Sequence, residues 1–134
     1  MPFVIDASVV ASWYFADERS VEGDLVLGKL NLDHASVPEI WWFEIRNVML
    51  VGERRGRSTK ERNELFLQFL SGLPIDVSPR TDDAPIMELA RRHNLSLYDA
   101  CYVELAQQRA LPLATFDQAM ARAAAAEGIA LVGN

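Results

Sequence analysis

The sequence predicts a single α/β domain built on a buried, mostly parallel sheet. Short apolar, β-favouring runs alternate with longer helical segments along the whole chain. The 134 residues, 50% of them hydrophobic, suit one ordinary core, and no linker, repeat or low-complexity tract divides them.

Phe3-Val4-Ile5 is the first strand-like run and stops at Asp6. Asp6 or Ser8 can cap the next helix, which carries Val9, Val10, Trp13 and Tyr14 and ends near Asp17-Glu18. A second helix covers Val21 to Leu30. Ala35-Ser36-Val37 reads as a strand, and Pro38 suits the opening of a long helix that reaches about Arg55 and stops at Gly56. Ser58 is placed to cap a helix through Leu70, with Glu61 completing a capping-box pattern. Ile75-Asp76-Val77 is a third strand, and Asp82 or Asp83 precedes a helix from about Ala84 to His93. Tyr98 to Arg109 reads as helix and Leu113-Ala114-Thr115 as strand. The alanine-rich stretch Gln118 to Glu127 is a strong helix former ending at Gly128, and Ile129 to Val132 is expected as a last short strand.

A single cysteine, Cys101, excludes an intramolecular disulfide framework and is expected as a small core side chain. No apolar run is long enough to cross a bilayer, and the start Met-Pro-Phe-Val-Ile-Asp lacks the basic opening of a secretory signal. Together these favour a reducing, cytoplasmic setting. The net charge of −6 argues against nucleic acid only superficially: without four unusual acids it is −2, and bound cations would reverse the field around those acids.

Those four are Asp6, Glu44, Asp99 and Asp117. Each interrupts an apolar segment, and an ionised carboxylate rarely goes inside without a compensating cation or donor. Asp6 and Asp117 follow strands, at the sheet end where ligands gather, although each would also serve as a helix cap. At ~100° per residue, Glu44 is flanked by Ile40, Phe43, Val48 and Val51 and shares its face with Asn47, while Arg46 and Glu53 fall on the opposite strip. A structural ion pair with an arginine is the competing reading for Glu44. Asp99 projects from the first turn of a stripe continued by Tyr102, Val103 and Ala106, where an acid is also a common capping choice. Thr115, two residues before Asp117, can offer a hydroxyl to a ligating carboxylate. An oxygen-only donor set selects Mg²⁺ or Mn²⁺ over zinc, and His34 and His93 have no metal-type spacing. Metal-assisted phosphodiester hydrolysis follows most directly from such a cluster.

Val4-Ile5-Asp6-Ala7-Ser8, Glu44-x-x-Asn47, Leu95-Ser96-x-Tyr98-Asp99-Ala100-x-Tyr102-x-x-Leu105-Ala106 and Leu113-Ala114-Thr115-Phe116-Asp117 resemble the PIN-domain nucleases, most closely the VapC toxins of toxin–antitoxin pairs. The resemblance spans nearly the whole chain, with its motifs in the expected order. It implies a three-layer α/β/α sandwich and a Mg²⁺- or Mn²⁺-dependent endoribonuclease site. Asp6, Glu44, Asp99 and Asp117 match the acidic positions, supported by Ser8, Asn47 and Thr115. It also implies a VapB-like antitoxin as partner, RNA as substrate and no membrane association. One departure is visible: Arg109-Ala110-Leu111-Pro112 has alanine where the family often has glycine, which alters how the preceding helix terminates.

Trp13, Tyr14, Phe15, Trp41, Trp42 and Met49 make more apolar surface than a small core needs, so part of it is expected to pack in a homodimer and part to receive an antitoxin helix. Arg54, Arg55, Arg57, Lys60 and Arg62 form the one basic concentration. It either guides an RNA backbone or, the favoured reading, makes ion pairs with Glu53, Glu61 and Glu64. Other classes fit less well. An aspartate-nucleophile phosphatase wants a second acid where Ser8 stands, and a phospho-accepting receiver wants a lysine after a late strand. A PIN-type nuclease outside a toxin–antitoxin pair, or a PIN-like binding module without catalysis, remains open.

Overall fold

In the computed structural model, which describes residues 1–80 and 82–133, strands β1 (Phe3–Ile5), β2 (Ala35–Pro38), β3 (Ile75–Ser78) and β4 (Leu113–Ala114) form one parallel sheet in the order β3-β2-β1-β4. Val4 is opposite Ser36 on one side and Leu113 on the other, so β1 is central. Its three side chains and those of Leu113 and Val37 are buried, as strands covered on both faces require. β3 is an edge, and Asp76 and Val77 on it are exposed.

The helices are α1 (Ala7–Ser12), α2 (Val21–Lys29), α3 (Ile40–Arg54), α4 (Lys60–Ser71), α5 (Asp83–His93), α6 (Leu97–Arg109) and α7 (Gln118–Ala126), with a 3-10 turn over Ala16–Glu18. Right-handed crossovers determine their layers. The chain steps from β1 to β2 to β3 in one direction, which puts α1 to α4 on one face. It then returns past β1 to β4, which puts α5 and α6 on the other face, followed by α7. The packing agrees: α1 rests on α2 and α3, whereas α6 rests on α5, α7 and strands β1, β2 and β4. The outcome is the three-layer α/β/α sandwich.

Boundaries follow local chemistry. Ser20, Thr59, Asp82, Ser96 and Asp117 accept backbone N–H bonds as N-caps of α2, α4, α5, α6 and α7. Two expectations need correction here. Ser58 does not cap α4: it is buried, with its hydroxyl near the Met49 carbonyl, and Thr59 takes the role. Pro38 does not open α3 but ends β2, because its ring needs no ladder donor at a strand terminus. The last expected strand reduces to a single bridge between Leu131 and Leu113. α6 ends on Ala110 in the left-handed conformation, φ 54° and ψ 45°, with its N–H donating to the Ala106 and Gln107 carbonyls. No helix among the described residues is long and apolar enough to cross a membrane.

Candidate active site

The order of strands creates a switch point between β1 and β4, where connections leave in opposite directions and a crevice opens at the carboxyl ends. Asp6 stands at that crevice. Its N–H continues the β1–β4 ladder by donating to the Ala114 carbonyl at 3.1 Å. Its carboxylate is 3% exposed and accepts three bonds, from Ser8 Oγ at 2.6 Å, the Val9 N–H at 3.2 Å and Thr115 Oγ1 at 2.5 Å. Asp6 is therefore both the N-cap of α1 and a buried anion; the two readings of the sequence do not exclude each other.

Thr115 and Ser8 tie β4 to that carboxylate. Thr115 Oγ1 also accepts the Asp117 N–H at 3.0 Å, and Ser8 Oγ accepts the Phe116 N–H at 3.1 Å. This holds Asp117 at the crevice, where Oδ1 caps α7 through the Met120 N–H. At the start of α6, Ser96 accepts the Asp99 N–H at 3.1 Å. Ser96 caps the helix, and its hydroxyl also favours the ionised form of the Asp99 carboxylate. Glu44, half-buried on α3, accepts the Tyr102 hydroxyl at 2.5 Å. That bond links the two helix layers across the top of the sheet.

The electrostatics connect all four acids. Burial pushes the Asp6 carboxyl up, the charge of Asp117 adds to it, and the bonds from Ser8, Thr115 and Val9 oppose it. Burial likewise raises Glu44, with Asp99 and Asp6 adding their charge and Tyr102 pulling the other way. Asp99 is raised by burial and then by Asp117. Each acid thus lies in the field of at least one other. Among the described residues none of the four makes an ion pair with a basic side chain, so the arginine partner considered for Glu44 is replaced by the Tyr102 hydroxyl.

An oxygen-only set carrying uncompensated negative charge fits a hard divalent cation in donor chemistry. The side chains are not preassembled around one: no group of three or more His, Cys, Asp or Glu residues already at ligating spacing occurs among the described residues.

Other expectations fall differently. The core stripe of α3 is Trp41, Ile45, Met49 and Gly52, whereas Phe43 is 62% exposed; Glu44 sits at the border of the buried face, not within it. Asn47 is exposed and makes no hydrogen bond among the described residues, so it is not drawn onto the acids. Of the aromatic set, Trp41, Phe15 and Met49 are core, and Trp42 is 46% exposed beneath the Arg46 guanidinium. Cys101 is half-buried beside a large groove. Arg57 pairs with Asp17 and Glu18 and Lys60 approaches Glu64 at 3.9 Å, while Glu53 instead accepts from Asn63. Tyr102 is the residue whose role the periodicity concealed. A tyrosine in an otherwise aliphatic stripe, three residues after an acid, was the signal, since a buried hydroxyl needs a partner.

A parallel α/β domain with Asp6 and Asp117 after the two strands of its switch point, and Glu44 and Asp99 coupled to them electrostatically, belongs to the class of small acidic-site α/β proteins. The chain is a member of the PIN domain family, whose pattern matches residues 3–126. It is 29% identical over 126 residues to Ribonuclease VapC3 of Pyrobaculum aerophilum, covering 90% of this chain and 93% of that protein. The crystal structure of PAE2754 from Pyrobaculum aerophilum superposes with a TM-score of 0.62 at 17% identity, covering 92% of this chain and 84% of that one. A toxin–antitoxin complex from Klebsiella pneumoniae gives 0.60 at 18% identity, with 86% of each chain covered. Both likenesses speak for the shared fold.

Proposed function

We propose that this protein is a metal-dependent endoribonuclease that acts as the toxin of a VapBC-type toxin–antitoxin pair. The observation that carries the proposal is the crevice at the switch point, where Asp6, Glu44, Asp99 and Asp117 lie in one another's field without a basic counter-charge among the described residues. Similarity to a protein named as a ribonuclease supports the substrate class.

Asp6, Asp99, Asp117 and Glu44 are the residues that would hold Mg²⁺ or Mn²⁺. When bound, such an ion supplies an activated water and stabilisation of the phosphoryl oxygens. Ser8 and Thr115 orient the Asp6 carboxylate, and Thr115 also holds the backbone at Asp117. Tyr102 fixes Glu44 and keeps its ionised form favoured against burial. Mapping RNA ends after brief expression in cells, with Asp6→Asn as control, tests the activity; identical ends from both proteins would reject it.

Two apolar surfaces support the partners. Leu65 and Phe69, one turn apart on α4, leave apolar side chains in water. Phe43, Met87, Leu97 and Tyr98 line a groove of about 510 Å³ between α3, α5 and α6. We assign the first to a VapB-like antitoxin helix and the second to another copy of this chain. Sedimentation as a monomer at micromolar concentration counts against the homodimer.

A further inference from the structure

A second cavity, of about 330 Å³, lies between α1 and α3, lined by Ser8, Asn47, Val48, Val51, Glu18 and Arg57 among others. Its Ser8 end adjoins the acidic crevice, because the Ser8 hydroxyl is bonded to Asp6 at 2.6 Å. Val48 and Val51 give it an apolar wall. The opposite end is charged and held in place. Arg57 Nη2 donates to Asp17 Oδ1 at 2.8 Å and to Glu18 Oε2 at 3.0 Å, and the guanidinium lies 4.1 Å from the Phe15 ring centre.

That clamp occupies one nitrogen of the guanidinium. Nη1 and Nε of Arg57, and the Asn47 amide, have no hydrogen-bond partner among the described residues. An apolar slot with a free amide and a fixed donor–acceptor pair suits a nucleobase, since single-stranded RNA is recognised through base edges with the base faces held. The pair also selects which base. An arginine fork matches the O6 and N7 acceptors of guanine, and a carboxylate accepts from base N–H donors, which guanine presents at N1 and N2. Adenine places a donor amine where the arginine needs an acceptor.

Resting on the ribonuclease reading, we propose that this cavity is a subsite for a guanine base next to the scissile phosphate, with Arg57 and Glu18 as the specificity-determining pair and Val48 and Val51 as its wall. The test has a binding arm and a cleavage arm. Short fluorescent RNAs that differ only in one guanine, adenine or inosine are titrated into the wild-type protein in chelator. The guanine oligomer is expected to bind about tenfold tighter than the adenine one. Inosine, which lacks the N2 amine, falls between them. Arg57→Lys and Glu18→Gln bring the ratio near one, Val51→Phe weakens guanine binding by filling the cavity, and Arg54→Ala, a charge control outside it, leaves the ratio intact. Cut sites in a randomised RNA are mapped with Mg²⁺ present. Equal affinity for all three oligomers in the wild type overturns the subsite, as does a guanine preference that survives in folded Arg57 and Glu18 variants. Cleavage without guanine preference rejects the subsite and leaves the nuclease standing; guanine-selective binding without cleavage does the reverse.

Discussion

Tyr102 on α6 donates its hydroxyl to Glu44 on α3 at 2.5 Å, across 58 residues of sequence. The bond joins the two helical layers at the point where both approach the crevice. It also works against burial, which pushes Glu44 up, and burial and the Glu44 charge push Tyr102 far up, so the phenol remains the donor.

Tyr102→Phe therefore has two expected effects. Loss of one charged hydrogen bond at a partly buried site lowers stability by about 1–3 kcal/mol, measured by urea denaturation. Glu44 also loses the contact that favours its ionised form, so the acid limb of the cleavage rate moves to higher pH. A variant with unchanged stability and pH profile would show the bond to be incidental.

The acids are expected to make the metal-free protein more stable on mild acidification. Asp6, Glu44 and Asp99 all bind protons more readily folded than unfolded, so between their unfolded and raised folded values the native state holds more protons. Stability falls as pH rises through that window and recovers as pH drops back. Glu127 acts in the opposite sense. Bonds from His93, Arg92 and Gln107 hold its carboxyl down to about 2, so its contribution is present above its ordinary value of 4.5 and fades below that pH. Melting of chelated protein should thus improve as pH falls from neutral through the raised range of these three acids, and decline well below pH 4.5 as Glu127 takes up its proton. A monotonic loss of stability from pH 7 downward would contradict this account of the crevice.

Divalent cation should reverse the repulsion. Mg²⁺ or Mn²⁺ at about 100 times its dissociation constant is expected to stabilise the fold by about 2.7 kcal/mol, because it binds only the native arrangement. Asp99→Asn should abolish most of that gain and reduce cleavage by orders of magnitude, while Asp6→Asn should melt at or above the chelated wild type, having lost a buried charge. Calorimetry with and without chelator reads both effects.

Ala110→Gly is expected to stabilise the chain by about 0.5–1 kcal/mol. Ala110 ends α6 with φ 54°, a left-handed conformation that costs an L residue about 1 kcal/mol and glycine nothing comparable. The greater freedom of unfolded glycine cancels part of the gain. Urea midpoints at unchanged slope give the sign directly.

Much of the fold was legible because its causes are local. Strand runs, cap residues and the breaks at Gly56 and Gly128, both at positive φ, act within a turn or two of sequence. The misplacements were local competitions as well: Thr59 and Ser58 are both capping residues, and only the packing of Ser58 against Met49 chose between them. Glu44 misled for a related reason. Residues on both sides of its helix are apolar, so periodicity could not tell the core stripe of Trp41, Ile45 and Met49 from the exposed side at Phe43.

By itself the sequence determined which residues form strands and helices, and that three of its anomalous acids, Asp6, Asp99 and Asp117, follow strand ends or open a helix, since these depend on neighbours a few positions away. Tertiary structure alone decided that Thr115 reaches Asp6 across 109 residues, that Tyr102 reaches Glu44, and that Arg57 is clamped by Asp17 and Glu18. Such pairs depend on strand order, ladder register and crossover hand, which no short window of residues encodes.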